Sequence, residues 1–379
     1  MKVVAAGVGL RTSHVLSIMK ACIPELTLVG YYDPHPAYID QLGANTPRFD
    51  DISSMLTTTR PDLFFVGSPN SFHAEHIRLG IEHDVTMFVE KPVVTTKEDT
   101  MALASLLATH GTEKLLVGLV LRYSQHMVDL KAVLDQLGPI TSMDASEHIA
   151  PYHGAFFMRD WRRMVKWSGG FMLEKCCHDI DIYNMITGSR PSRVASFGGR
   201  KSFVPQFAPD NNFENEIMHR KSSVWESTDD PFNSDGDIID FQTAILQYES
   251  GASLAFHTNL NVPDEHRRFC VMGALGMAEG DFARGYLKAT RRDGSIIVNH
   301  DYSQGDPARQ SAHYGADHMM VEDIVQFLRA ERTTLPVGIV DALEAGLVAM
   351  ALDEARITGR QIELHDTWAE FDQFGLRQA

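Results

Sequence analysis

Cysteine is scarce: the 379-residue chain holds four, Cys22, Cys176, Cys177 and Cys270. None has zinc-type spacing, and the adjacent Cys176 and Cys177 do not readily bridge each other, so neither a metal ribbon nor a disulfide framework is indicated. A reduced, cytoplasmic setting is expected. Long apolar runs are missing too, with none reaching the ~18 residues that a membrane helix needs. The opening Met1-Lys2-Val3-Val4-Ala5-Ala6-Gly7 runs straight into a strand pattern without the tripartite plan of a secretory leader. Positive charge is in deficit, with 34 Lys+Arg against 50 Asp+Glu and a net charge of -16. That balance argues against nucleic acid or an anionic membrane as partner, because both require a basic face. His257, His266, His313 and His318 have neither an i, i+4 partner nor a Cys/His cluster, so they read as structural or surface histidines and no metal is expected. Internal repeats and low-complexity tracts are also absent.

What is present is enough apolar sequence for real cores, 44% of residues, in a chain long enough for two domains. Over residues 1–121 short apolar segments (2–6, 26–32, 63–67, 85–89, 115–119) alternate with helical patterns (13–21, 52–57, 73–82, 97–110). This predicts a doubly wound parallel sheet covered by helices on both faces. Over residues 122–379 the texture changes. Helical patterns at 127–137 and 170–186 accompany a strand at 140–149 and a run of alternating segments at 238–248, 252–259, 267–272 and 295–299. Strands without intervening helices predict an α+β domain with a large, mainly antiparallel open sheet. Helices at 318–330 and 339–356 are expected to pack back on that sheet. Residues 203–237 are polar, rich in Asn, Asp, Ser and Pro, and form a long excursion of a kind uncommon without a functional reason.

Four signals in the first domain occur in a fixed order. Gly7-Val8-Gly9 links the first strand to the first helix, where glycines let a backbone approach a pyrophosphate at the positive helix end; Leu10, Arg11 and Thr12 complete that turn. The third glycine of the dinucleotide fingerprint is missing, Thr12 or Ser13 standing in its place. Asp33, ending the second strand, is placed to accept bonds from ribose hydroxyls and to repel a 2′-phosphate, favouring NAD over NADP; taken alone, Asp33-Pro34 is equally an ordinary turn. Ser68-Pro69-Asn70-Ser71-Phe72-His73 follows the third strand, and Phe88-Val89-Glu90-Lys91-Pro92 ends the fourth. A lysine at that edge can donate to a substrate hydroxyl and steady the developing oxyanion.

In the second domain, Glu174, His178 and Asp181 fall at i, i+4 and i+7 of one helix, with Lys175 beside them, behind the paired Gly169-Gly170. A histidine is the natural base for a hydroxyl proton near neutral pH, and a neighbouring carboxylate orients it. The same spacing also suits a surface helix laced with ion pairs. Upstream, Arg159, Arg162, Arg163 and Lys166, with Lys175, concentrate positive charge in an otherwise acidic protein, pointing to a substrate with an anionic group. Trp161 and Trp167 can equally be core.

The order of these motifs resembles the Gfo/Idh/MocA family of glucose-fructose oxidoreductases and inositol dehydrogenases across essentially the whole chain. That resemblance implies an NAD-dependent oxidoreductase acting on a sugar, glycoside or cyclic polyol, without a metal, as a homodimer or homotetramer. It implies Lys91 and His178 as catalytic, with Glu174 in the place of the family's aspartate. Gly7, Gly9, Leu10, Arg11, Thr12, Asp33, Ser68, Pro69, Asn70, His73, Glu90, Trp161 and Arg162 would meet the cofactor. Arg122, Tyr123, Arg159, Arg163, Lys166, Lys175 and Asp181 would meet substrate. In the family the bond before the proline matching Pro92 is often cis; a plain trans strand terminator is the alternative. The Glu174-Lys175-Cys176-Cys177-His178-Asp179 stretch departs from the commonest family pattern and suggests a subgroup acting on elaborated sugars. Some family members cleave glycosides by transient oxidation, elimination, hydration and reduction, so an NAD-dependent hydrolase of, for example, an acidic or sulfonated glycoside is one alternative, and a non-catalytic NAD- and sugar-binding regulator is a further one.

Overall fold

The computed structural model describes residues 1–304 and 313–377. They fall into two compact units: Met1–Val120 with Asp317–Gly346 and Ala369–Ala379, and Leu121–Ala316 with Leu347–Trp368. The first boundary lies where the sequence pattern changes. The last part of the chain differs from expectation, because residues 317–346 and 369–379 belong to the first unit. Ion pairs tie them there, Asp317 to Arg11 at 2.8 Å and Glu370 to Lys97 at 2.8 Å. A helical pattern reveals an apolar face but not which sheet will cover it.

The sheet of the first unit comprises β1 (Lys2–Ala6), β2 (Thr27–Tyr32), β3 (Leu63–Val66), β4 (Met87–Val89) and β5 (Leu115–Val117), all parallel, in the order β2-β1-β3-β4-β5. β3, β4 and β5 are buried at every position, as apolar runs without alternation require of a sheet covered on both faces. Helices Leu10–Cys22, Ile52–Thr59, His73–Glu82 and Lys97–His110 connect the strands. Asp51 caps the second by accepting from the Ser53 and Ser54 amides, and Thr96 caps the fourth by accepting from Asp99. Chain order reverses between β1 and β3, and such a switch point opens a crevice at the carboxyl ends of the strands.

The second unit is built on nine strands, β6 (Ile140–His148), β7 (Pro191–Gly199), β8 (Phe241–Tyr248), β9 (Ser253–Asn259), β10 (His266–Gly273), β11 (Gly276–Asp281), β12 (Tyr286–Arg291), β13 (Ile296–Asp301) and β14 (Ile362–Glu363). Their order is β13-β12-β11-β10-β6-β9-β8-β7-β14, antiparallel except for the β6–β9 pair. β8 buries Gln242, Ala244, Leu246 and Tyr248 and turns Ile245 outward, so one face is core and the other open. Helix Phe171–Thr187 lies with the buried side, where Tyr183 meets Phe256 of β9 at 6.4 Å between ring centroids. Thirteen of its seventeen residues are buried, which rules out a solvated ion-pair helix. No helix among the described residues is long and apolar enough to cross a membrane.

The polar excursion is ordered by side chains from outside it. Arg200 donates to the carbonyls of Phe203, Pro231, Ser234 and Gly236, and Asp240 accepts from the amides of Lys201, Ser202 and Phe203. Within it the helix Asn212–Met218 is capped by Asn211.

Candidate active site

In the first unit the fingerprint turn is shaped by contact with the neighbouring strand exit. Gly7 has φ 84, and a Cβ there would lie 2.5 Å from the Ser68 amide nitrogen, so no other residue fits without backbone movement. Thr12 explains the missing third glycine. Fully buried, its hydroxyl donates to the Gly7 carbonyl at 2.8 Å. It braces the turn from behind rather than facing a ligand. Gly9 is the N-cap of helix Leu10–Cys22; no side chain bonds that helix end, no acid occupies its first turn, and a Cβ on Gly9 would meet nothing within 4 Å. An open, uncapped, positive helix end is what a dinucleotide pyrophosphate requires.

Asp33 accepts from the Val8 amide at 2.6 Å and the His35 amide at 2.7 Å. Both the turn role and the ribose role are compatible, since each carboxylate oxygen keeps a further lone pair. Arg11, expected at the cofactor, is held between Glu90 and Asp317 at 3.1 and 2.8 Å. Burial works to lower its pKa, yet the two acids outweigh it and the guanidinium is held above its usual range. Glu90 is buried in that pair, while Leu10 is exposed. Lys91 leaves β4 half-buried, and the Lys91–Pro92 bond is cis. Two histidines organise the same edge. His73, fully buried, bridges the carbonyls of Pro92 and Ser68 at 2.9 and 2.8 Å, and His76 takes the Ser68 hydroxyl at 3.0 Å. Burial, with the charge of His73 next, lowers the His76 pKa to about 3. Pro69 is half-buried, and Asn70 is buried at the start of the turn before His73.

In the second unit Gly169 and Gly170 both take positive φ, and a Cβ on Gly170 would lie 2.7 Å from the Asp353 carboxylate. His178 is 2% exposed, and its ring lies 5.7 Å from that of His313. Lys175, one turn back, pairs with Glu147 of β6 at 3.1 Å; Glu147 also binds Arg267 of β10 at 2.8 Å, and Arg267 grips Asp179 at 2.8 and 2.5 Å. Burial would raise the Glu147 pKa, but Arg267 and Lys175 hold it below the usual carboxylate value. Burial pushes the Cys176 thiol well up, as befits a packing residue.

Several expected substrate contacts are internal. Asp181 and Arg122 form a buried two-pronged ion pair at 2.7 and 2.6 Å, and Tyr123 is 2% exposed. Arg159 donates to the carbonyls of Met218 and Lys221 at 3.2 and 2.6 Å, while Arg163 binds Asp235 at 2.6 Å and the Glu226 carbonyl. Both clamp the excursion. Arg162 spans Glu174 at 2.8 Å and Asp160 at 2.7 Å with its guanidinium 4.2 Å from the buried Trp161 ring, so Glu174 is committed to an arginine. Lys166 is exposed on the ring of Trp167 at 4.9 Å.

Sequence patterns missed Glu147, Arg267, His153 and Lys221. For the first two the available signal was a charge at an inward position of an alternating strand. For Lys221 it was the length of the excursion. Among the described residues no group of three or more His, Cys, Asp or Glu could hold a metal ion.

Residues 1–119 match a family profile described as an oxidoreductase family, NAD-binding Rossmann fold, and residues 131–364 match its C-terminal alpha/beta domain. The chain is 26% identical over 278 residues to YteT of Bacillus subtilis, covering 63% of this chain and 65% of that protein. It is 21% identical over 275 residues to the 2,7-anhydro-N-acetylneuraminate hydratase of Mediterraneibacter gnavus, covering 70% of this chain and 64% of the hydratase. The fold matches scyllo-inositol dehydrogenase from Lactobacillus casei, solved with NAD(H) and scyllo-inositol, with a TM-score of 0.71 at 19% identity, over 96% of this chain and 99% of that one.

Proposed function

The chain belongs to the Gfo/Idh/MocA oxidoreductase family, and on that premise we propose that it transfers hydride between NAD and a secondary alcohol of a sugar, glycoside or cyclic polyol. The observation that carries this reading is Lys91, half-buried beside a cis proline on the same sheet edge as the open helix end at Gly9. The nicotinamide, when bound, accepts the hydride. Everything else falls to the chain. Gly7 and Gly9 admit the pyrophosphate, and Asp33 takes the ribose hydroxyls and disfavours a 2′-phosphate, hence NAD rather than NADP. Lys91 donates to the substrate hydroxyl and steadies the oxygen as negative charge develops on it. His178 takes the hydroxyl proton. Lys175, anchored by Glu147, binds substrate. Glu174 acts through Arg162, which fixes the helix that carries His178.

The test is NADH formation from NAD and a panel of neutral and acidic sugars and glycosides. Lys91→Ala and His178→Ala are each expected to lose roughly 10²- to 10⁴-fold in kcat/KM with NAD binding retained; full turnover in both variants would remove the assignment. A second reading is supported by the relative named as a hydratase: oxidation of a ring hydroxyl, elimination, water addition and reduction, with no net NADH. Nitrophenol released from nitrophenyl glycosides without NADH accumulating would select it. That relative's name also specifies an acidic sugar, in keeping with a substrate bearing an anionic group. The outward face of the nine-stranded sheet, with exposed Phe197 and Ile245, is the surface through which two copies would pair. Light scattering would read that out.

A further inference from the structure

Most of the positive charge concentrated in residues 159–175 is already spent. Arg159 and Arg163 serve backbone carbonyls and Asp235, Arg162 serves Glu174 and Asp160, and Lys175 serves Glu147. Of the remaining cations there and in the excursion, Lys166 and Arg220 are exposed and Lys221 is half-buried. Its backbone carbonyl is pinned by the buried Arg159 at 2.6 Å, so its place in the excursion is set from the helix Pro151–Arg159. Its ammonium hangs over two rings of that helix, 5.8 Å from the centre of Tyr152 and 5.6 Å from that of Phe156. Arg162 reaches the same Phe156 ring at 5.7 Å. Among the described residues no carboxylate lies within ion-pairing distance of Lys221.

Aromatic faces stabilise a cation but do not neutralise it. An ammonium held beside other cations, with no paired carboxylate among the described residues and only the more distant Glu265 to offset it, is a site prepared for an anion. We infer that Lys221 recognises a carboxylate on the sugar substrate, and that the excursion over residues 203–237 is therefore the element that sets acidic-sugar specificity. The inference rests on the reading of the same site as a sugar-binding one. Lys175, three residues before His178 on one helix, is close enough to Lys221 for the two ammonium groups to repel, which sets the carboxylate pocket towards the reacting end of the sugar.

The electrostatics agree with this geometry. The Lys221 pKa is lowered to about 8, first by burial and then by Lys175, with Arg162 adding to the effect and Glu265 opposing it. The other charged or titratable groups facing it are Arg220, which reaches the Tyr152 ring, Tyr152 itself and His153. His153 is held neutral, since burial together with Lys175, Lys221, His313 and Arg162 lowers its pKa well below the usual value. A bound carboxylate would raise the Lys221 pKa, so binding takes up a proton at pH near 8. Affinity is fully present below that value and lost above it.

The experiment is calorimetric titration of the full-length protein, saturated with NAD, with D-glucuronate and D-galacturonate and with glucose and galactose as neutral partners. At least one uronate should bind more tightly than its neutral partner. Lys221→Met should weaken that uronate roughly 10- to 100-fold and leave the neutral sugar unchanged. Lys221→Arg should retain binding and carry it to higher pH than the wild-type chain. Uronates binding no better than neutral sugars, or equally well to wild type and Lys221→Met, would overturn the inference. Hydride transfer is scored separately by NADH, so uronate binding that depends on Lys221 without NADH formation would refute the dehydrogenase reading while sparing this one.

Discussion

The glycine turn of the first unit and the excursion of the second are both loops at a proposed ligand site, yet they are held in opposite ways. Residues 7–12 carry their own shape in local sequence, Gly7 taking a conformation that a Cβ would not permit and Thr12 tying back five residues to the Gly7 carbonyl, and Asp33 and the Ser68 backbone only close around it. Residues 203–237 are fixed from a distance, by Arg159 reaching Lys221 and by Arg163 reaching Asp235. A loop of the first kind announces itself in a motif. A loop of the second kind looks like featureless polar sequence, and its clamps look like free cations.

Acid should separate the two units most. Buried His76 in the first unit, with its pKa lowered to about 3, and His126 and His148 in the second, each lowered to about 4, are neutral when folded and take up protons when unfolded. Folded-state values below the ordinary one mean that stability is fully present above about pH 6.5 and falls as pH drops toward 4, by up to about 1.4 kcal/mol per pH unit for the buried His76 and His126 and by less for the half-buried His148, which solvent screens. With three such groups, His126, His148 and His153, the second unit should show the steeper loss in hydrogen exchange. His126→Gln should flatten it.

Gly7→Ala should cost about 1–3 kcal/mol of backbone strain and push against Ser68. Its signature is lost NAD binding with the second unit intact, measured by calorimetry and denaturant melts. Arg159→Ala should cost about 1–3 kcal/mol but do so locally, through faster proteolysis within residues 205–230 and weaker uronate binding at unchanged NAD affinity. Equal protection of that segment in wild type and variant would show that the clamp contributes nothing. The smallest effect is expected from Lys166→Ala. The residue is exposed on Trp167, so stability should move by less than about 1 kcal/mol and kcat/KM should not change.

How far the sequence was legible follows the same division. The parallel sheet, its helices, the glycine turn and the helix bearing His178 stood out because each depends on spacing within a few residues. Strands β7, β11 and β12 did not: β7 ends in Gly198-Gly199, β11 carries Gly276 and Gly280, and only Leu287 and Ala289 of β12 turn inward. Arg122 and Asp181 are 59 residues apart and both read as substrate ligands. Only the fold reveals that each is the other's partner. Arg11 and Glu90, read as cofactor ligands, likewise meet across 79 residues.

By itself the sequence determined the fold class, the family and the edge of the sheet where a dinucleotide belongs, because periodicity and short motifs are local constraints on backbone and burial. Tertiary structure alone decided which charges are spent and which remain available. A charged side chain's role depends on the carboxylates and carbonyls brought within about 4 Å of it, and that neighbourhood is assembled from segments far apart in the chain, as with Glu147, Lys175 and Arg267.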